Sequence, residues 1–82
     1  MLTDEPASIC ASIDKRVGRR LRQLRTERGQ SLQQMAAVIG VSYQQIQKYE
    51  AGKNRIAAST LHCVANHFRI QIAWFFQNDG SR

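Results

Sequence analysis

The segment 31–52 constrains the fold of this 82-residue chain more than any other part of its sequence. It contains two short stretches with helical spacing of apolar residues, and each begins at a serine followed three positions later by a glutamine. The first pair is Ser31 with Gln34, and the second is Ser42 with Gln45. Such a pair forms a capping box, in which side chains bind the free amides at the start of a helix. A glycine follows each stretch, at the position where helices commonly end. The segment therefore predicts two short helices joined by a tight turn.

Helical periodicity continues on both sides of this segment. A first helix is predicted over 13–28, with Ser12 or Asp14 as its cap and Gly29 as its end. A fourth helix is predicted over 57–67 and a fifth over 72–77. The predicted core residues outside the central segment repeat at spacings of three and four: Ile13, Val17, Leu21, Leu24, Leu61, Val64, Ala65 and Phe68. The expected fold is all-α, compact and five-helical.

The chain is long enough for one domain. The first eleven residues show no clear periodicity and are expected to form a flexible arm. The domain itself is expected over 12–77, followed by a polar tail over 78–82. There is no apolar leader at the start and no stretch of about 20 apolar residues, so we expect a cytoplasmic protein rather than a secreted or membrane one.

The charge of the chain favours a polyanionic partner. Twelve Lys and Arg face six Asp and Glu, for a net charge of +6. Seven of the twelve basic residues fall between Lys15 and Arg28. Such a run also occurs on ordinary solvated helix faces, so Arg16, Arg19 and Arg20 either attract a polyanion or only keep the domain soluble.

The spacing of the central segment is typical of a helix-turn-helix, here over 32–51, which binds DNA with its second helix in the major groove. Tyr43, Gln44, Gln47 and Lys48 are predicted to point outward from that helix and contact bases. Glutamine can bond adenine bidentately, and lysine can donate to guanine. The alternative is that these residues form an ordinary polar helix face in solvent. That alternative explains any one of the four residues, but it explains the four together less well.

Other polar residues around the two helices are expected to contact phosphates and so orient the domain without determining sequence preference. They lie at the helix starts and just after the second helix: Ser31, Gln33, Ser42, Lys53, Asn54 and Arg55.

Three pieces of the chain together resemble one known family. They are GRRLRQLRTERGQSLQQMAAVIGVS, QQIQKYEAGKNRI and STLHCVANHF. The chain resembles the Xre family of Cro and phage-repressor-like domains over about residues 17–76. The resemblance implies a lambda-repressor-like fold of five short helices that binds an operator as a twofold dimer.

The resemblance also implies roles for individual residues. It pairs Arg25 of the first helix with Glu50 at the end of the recognition helix, and it allows Arg25 to face a phosphate; the alternative is two unrelated surface charges. Many members begin the second helix with a glutamine that touches DNA, whereas this chain has Leu32, which shifts that contact to Gln33.

The C-terminal helix is apolar on more than one side, and relatives dimerise through this region. The expected dimer interface consists of Ile72, Trp74, Phe75 and Phe76. The alternative is a monomer that exposes one aromatic side chain.

These observations predict a sequence-specific transcriptional regulator, most simply a repressor, that binds a palindromic operator on double-stranded DNA as a homodimer. One alternative is an antitoxin that neutralises a toxin, as its protein partner, through a protein surface and also autoregulates by binding DNA. Another is a protein-interaction module that has lost DNA binding. We expect no enzyme activity and no cofactor. Cys63 and His67 have a possible ligand spacing but no further ligands, so no metal site is predicted, and Cys10 and Cys63 are expected to be reduced thiols.

Overall fold

The structure, a computed structural model, describes the backbone of residues 5–77 and the side chains of residues 9–77. This part of the chain is all-α and contains no strand. It forms α1 (Glu5–Glu27), α2 (Leu32–Ile39), α3 (Tyr43–Glu50) and α4 (Ala58–Phe68), followed by a 3₁₀ helix (Ile72–Phe76). Within these residues, no helix is long and apolar enough to cross a membrane.

The first helix is longer than predicted. It begins at Glu5 rather than near Ile13, so residues 5–11, which were expected to belong to a flexible arm, are helical. The sole proline, Pro6, lies in its first turn, where a missing amide hydrogen costs no helical bond. Residues 1–4 of the predicted arm and the predicted tail 78–82 lie outside the described residues.

The prediction of five α-helices is wrong at the C-terminal end, because the fifth element is a 3₁₀ helix of five residues. Its backbone bonds span three residues: the Trp74 amide donates to the Gln71 carbonyl at 3.0 Å, and the Gln77 amide donates to Trp74 at 3.3 Å. A segment this short gains little from the four-residue bonding of an α-helix, whose first turn is costly to form.

The turn between α2 and α3 follows the predicted pattern, except that the second capping box is only half formed: in the described part of the chain the Gln45 side chain returns no hydrogen bond to the Ser42 backbone. The Ser31 side chain accepts a hydrogen bond from the Gln34 amide, and the Gln34 side chain returns one to the Ser31 backbone, which completes the capping box. Gly40 ends α2 in the left-handed region, with φ of 84°. The Ser42 side chain then accepts from the Gln45 amide and starts α3. The entry into α3 is therefore fixed by local bonds.

One hydrophobic core joins all five elements. The predicted core residues Val17, Leu21, Leu24, Leu61, Val64, Ala65 and Phe68 are buried, together with Met35, Ala36, Ile46, Tyr49 and Phe75. Ile13 packs against this cluster but is only partly buried. Each fully buried large side chain, such as Phe75 or Leu21, contributes about 1.5–3 kcal/mol of hydrophobic stabilisation.

Helix α1 crosses α3 at very short distance because Gly18 has no side chain. Gly18 is buried, and a Cβ placed on it would overlap the carbonyl oxygen of Tyr49 and lie 2.9 Å from that of Glu50. Only a glycine allows the two backbones to approach this closely. The crossing sets where α3 lies relative to the rest of the domain.

Replacing Gly18 by alanine is therefore expected to destabilise the fold by about 1–3 kcal/mol, the usual cost of overpacking. In an unobstructed helix the same change would stabilise by about 1 kcal/mol, so the sign of the effect is diagnostic. Urea unfolding measures the change. Ser12→Ala, at an exposed site on the same helix, is the control, with an expected change within about 0.5 kcal/mol. A Gly18→Ala protein more stable than the wild type would contradict the close crossing.

Candidate nucleic-acid interface

The outer side of α3 carries the four side chains predicted to contact bases. Tyr43, Gln44, Gln47 and Lys48 are all exposed. On the opposite side of the same helix, Ile46 and Tyr49 are buried in the core. We call the four exposed side chains the recognition face. Because the inner residues fix the rotation of α3, the recognition face is held pointing outward.

The acidic residue of α3 is turned away from this face. Glu50 Oε2 lies 2.6 Å from Arg25 Nε, and Glu50 Oε1 lies 3.2 Å from Arg25 Nη2. Both side chains are largely enclosed, with 9% and 14% of their surface exposed. Arg25 Nη1 also donates to the Gln30 carbonyl at 3.1 Å. Arg25 thus ties α1 to α3 and to the loop before α2, and three of its five N–H groups are already used.

The start of α2 places Ser31 and Gln33 at the surface. The Ser31 oxygen already accepts from the Gln34 amide at 3.0 Å, but its hydroxyl hydrogen can still be donated. Leu32, at the first position of α2, is half-buried against the core and offers no polar group there. Ser42, at the start of α3, is also exposed while its side chain caps the helix.

The loop after α3 exposes Lys53 and Asn54. Their backbone amides donate to the Lys48 carbonyl at 2.9 and 3.4 Å, so a phosphate here would be bound by their side chains rather than by these amides. Arg55 differs from the other predicted phosphate contacts. Its Nε lies 3.2 Å from both carboxylate oxygens of Asp14 on α1, so its charge is engaged by an acid although 67% of the side chain is exposed.

Two arginines of the basic run have a role that the sequence did not indicate. Arg16 Nη1 donates to the Phe76 carbonyl and Arg20 Nε to the Gln77 carbonyl, each at 3.3 Å. The Arg20 guanidinium also lies 4.7 Å from the centre of the Trp74 ring, a cation–π distance. These contacts fasten the end of the 3₁₀ helix to α1. No pattern of neighbouring residues could predict these contacts, because the partner is 60 residues away from Arg16 and 57 residues away from Arg20.

The four residues predicted to form a dimer interface lie in three different environments. Phe75 is completely buried in the core of its own chain, so the structure does not support it as an interface residue. Trp74 is half-buried beside Phe75, with ring centres 5.2 Å apart. Ile72 and Phe76 remain exposed, at 38% and 45%. Successive residues of a short helix cannot share one face, which explains the division.

Ile72 and Phe76 border an apolar groove of about 340 Å³. Its walls come from α1, α4 and the loop before α4: Ile13, Val17, Ile56, Ala58 and Leu61. The Asp14–Arg55 ion pair supplies its polar edge. The groove and the exposed Phe76 ring together form an exposed apolar surface beside the 3₁₀ helix.

Cys10 on α1 and Cys63 on α4 are both exposed free thiols. Over the part of the chain that the structure describes, no group of three or more His, Cys, Asp or Glu is placed to hold a metal ion.

The sequence of the chain is similar to those of known helix-turn-helix proteins. A family model described as helix-turn-helix matches residues 21–75. An uncharacterized transcriptional regulator in the ATPase CF(0) region of Rhodospirillum rubrum is 47% identical over 66 residues, which cover 80% of this chain and 61% of the relative. An uncharacterized HTH-type transcriptional regulator of Sinorhizobium medicae is 39% identical over 66 residues, 80% of this chain and 48% of the relative. The chain therefore spans about half to three fifths of the length of these curated relatives.

A solved structure has a similar fold. The restriction-modification controller protein C.AhdI from Aeromonas hydrophila superposes with a TM-score of 0.69 and 26% sequence identity. The match covers 76% of this chain and 94% of the controller.

The enclosed ion pair leads to a prediction about stability. Glu50→Gln leaves the Arg25 charge without its partner in a largely enclosed site, so we expect a loss of about 1–3 kcal/mol, between the values for exposed and buried pairs. Asp14→Asn, which breaks the more exposed pair with Arg55, is the matched control and should cost about 0–1 kcal/mol. Urea unfolding of both variants measures the difference. A Glu50→Gln loss no larger than the ~0–1 kcal/mol of an exposed pair would show that the Arg25–Glu50 contact does little to hold α1 against α3.

Proposed function

Because this chain belongs to the Xre-type helix-turn-helix family, we propose that it is a sequence-specific DNA-binding regulator of transcription. In this proposal it acts in the cytoplasm, on the nucleoid, and binds a palindromic operator as a homodimer through residues 43–51. A domain that covers an operator blocks access to the promoter beside it, so repression is the activity we propose.

The observation that carries this proposal is the fixed orientation of the recognition face. Two glutamines and a lysine offer the donors and acceptors that distinguish base pairs in the major groove. Glu50, the one acid in α3, is bound by Arg25 and is kept from opposing phosphates. A rigid helix with polar and cationic groups outward needs no rearrangement before it enters the groove, which lowers the cost of binding.

The proposed phosphate contacts surround the recognition face. Ser31 and Gln33 stand at the start of α2, where free amides and the helix dipole favour an anion. Ser42 stands at the start of α3, and Lys53 and Asn54 follow its end. Contacts at both ends of a recognition helix would fix its depth and angle in the groove. Arg25 and Arg55 already bind acids within the chain, so we assign them a smaller part in phosphate binding.

The proposed dimer uses the apolar groove together with Ile72 and Phe76. A second copy is the occupant we favour, because a twofold axis beside the 3₁₀ helix would place each exposed Phe76 ring against the other chain's apolar surface. Two recognition helices related by this axis should contact half-sites about one helical turn apart.

Gln44 supplies the test of base recognition. Selection of bound duplexes from a randomised pool would give the operator sequence. Gln44→Ala is expected to weaken binding to that operator by about 1–3 kcal/mol. It should also relax the base preference at one base pair of each half-site. Gln71→Ala, an exposed glutamine without a side-chain cap bond, is the matched control. Fluorescence anisotropy measures both variants. Unchanged preference in Gln44→Ala would count against recognition through this residue, and selection of no motif would refute the proposed function.

Phe76 supplies the test of the dimer. Phe76→Asp places a charge on the apolar surface and is expected to shift the protein to monomer at concentrations where the wild type is dimeric, as measured by sedimentation. Tyr43→Asp is the control, because Tyr43 is similarly exposed, at 40% against 45%, but belongs to the recognition face. That variant should remain dimeric and lose operator binding. The proposed interface is wrong if Phe76→Asp sediments as the wild type does.

A further inference from the structure

The basic residues of α1 differ in what their side chains already bind. Arg16 and Arg20 hold the 3₁₀ helix, and Arg25 holds Glu50. Arg22 is exposed, and within the described residues its guanidinium has no hydrogen-bond acceptor or acid. The hydrogen bond found at Arg22 is made by its backbone carbonyl, which accepts from the Thr26 hydroxyl at 3.0 Å. Its charge is therefore available to a partner.

Arg22 lies beside the recognition face. It lines a cleft of about 330 Å³ together with Leu32 at the start of α2 and Gln47 and Ala51 at the end of α3. Gln47 and Ala51 also line the adjoining cleft, which contains Gln44, Lys48 and Lys53. The two clefts thus share one wall, and a single surface runs from the recognition face to the Arg22 side chain.

The electrostatics of this cleft favour an anion. Glu50 is the acid in its lining, and Arg25 already neutralises that carboxylate through two hydrogen bonds. Arg22 therefore contributes an uncompensated positive charge. A guanidinium presents a fixed fork of N–H donors that matches the paired oxygens of a phosphate.

The dimensions of α3 and of DNA indicate which anion this is. A helix with its side chains is about 10–12 Å across, and the major groove is about 12 Å wide. A helix in the groove fills it, so an element at its side lies over the sugar–phosphate wall. We propose that Arg22 binds a backbone phosphate of the strand that flanks the bound α3. This inference rests on the proposed function and extends the DNA contact to α1.

Salt dependence distinguishes a phosphate contact from a general effect of charge. The affinity of wild type and variants for a duplex carrying the selected operator would be measured between 50 and 200 mM KCl. Arg22→Ala is expected to make the slope of log affinity against log salt less negative by about 0.9 for each bound protomer, or about 1.8 for a bound dimer, with a roughly five- to tenfold loss of affinity per protomer near 0.1 M. Preference among operator variants should be unchanged, because phosphates carry no base identity.

Two further variants make the result specific. Arg22→Lys keeps the charge and should restore most of the slope. Arg69→Gly removes one charge from the end of α4, where Arg69 has a φ of 59° that glycine accepts readily, and Arg69 lines neither cleft. Its slope should equal that of the wild type.

An Arg22→Ala protein with the wild-type slope would overturn the assignment, as would equal changes in Arg22→Ala and Arg69→Gly. Those results would leave the proposed function standing if the wild type still prefers the selected operator to a shuffled duplex. A wild type without that preference would refute the proposed function and this assignment with it.

Discussion

The close crossing of α1 over α3 is the constraint on which the rest of the molecule depends. Gly18 brings the α1 backbone against the carbonyls of Tyr49 and Glu50, and about two turns further along α1, Arg25 binds the Glu50 carboxylate. A helix of eight residues does not persist alone in water. Helix α3 is therefore held in place by the crossing, by the core beneath it and by the Ser42 cap. These contacts also fix the direction in which the recognition face points.

Features encoded by neighbouring residues could be predicted from the sequence. The Ser31 and Ser42 caps and the glycine stop at Gly40 depend on contacts within a few residues, and all three are found in the structure. The buried stripes of α1 and α4 follow from helical spacing in the same way. The Arg25–Glu50 contact spans 25 residues, and it was expected only because of the family resemblance.

Features that depend on distant partners could not be predicted. The basic run of α1 suggested attraction to a polyanion, but Arg16 and Arg20 bind carbonyls at the far end of the chain. Arg55 was expected to face a phosphate and instead binds Asp14. Three consecutive aromatic residues suggested a shared interface, whereas packing buries Phe75 and leaves Phe76 exposed. In each case tertiary geometry decides what a residue type alone leaves open.

The resulting distribution of charge connects the fold to the proposed function. Glu50, the acid of the recognition helix, is paired with Arg25 within the chain, and Lys48, Lys53 and Arg22 are exposed around the helix. These exposed cations lie on the surface proposed to meet DNA. Other arginines of α1 instead bind groups within the chain: Arg16, Arg20 and Arg25. Such a surface attracts a duplex at long range and leaves discrimination to the recognition face.

Native-state hydrogen exchange on the free protein tests most directly whether the crossing preorganises the recognition helix. We expect the amides of α3 around Ile46 and Tyr49 to exchange only through global unfolding, with the same free energy as those of Leu21 and Leu24 in α1. Exchange of the α3 amides through local opening, at a much lower free energy than in α1, would show that the recognition helix is not held in place before DNA binds.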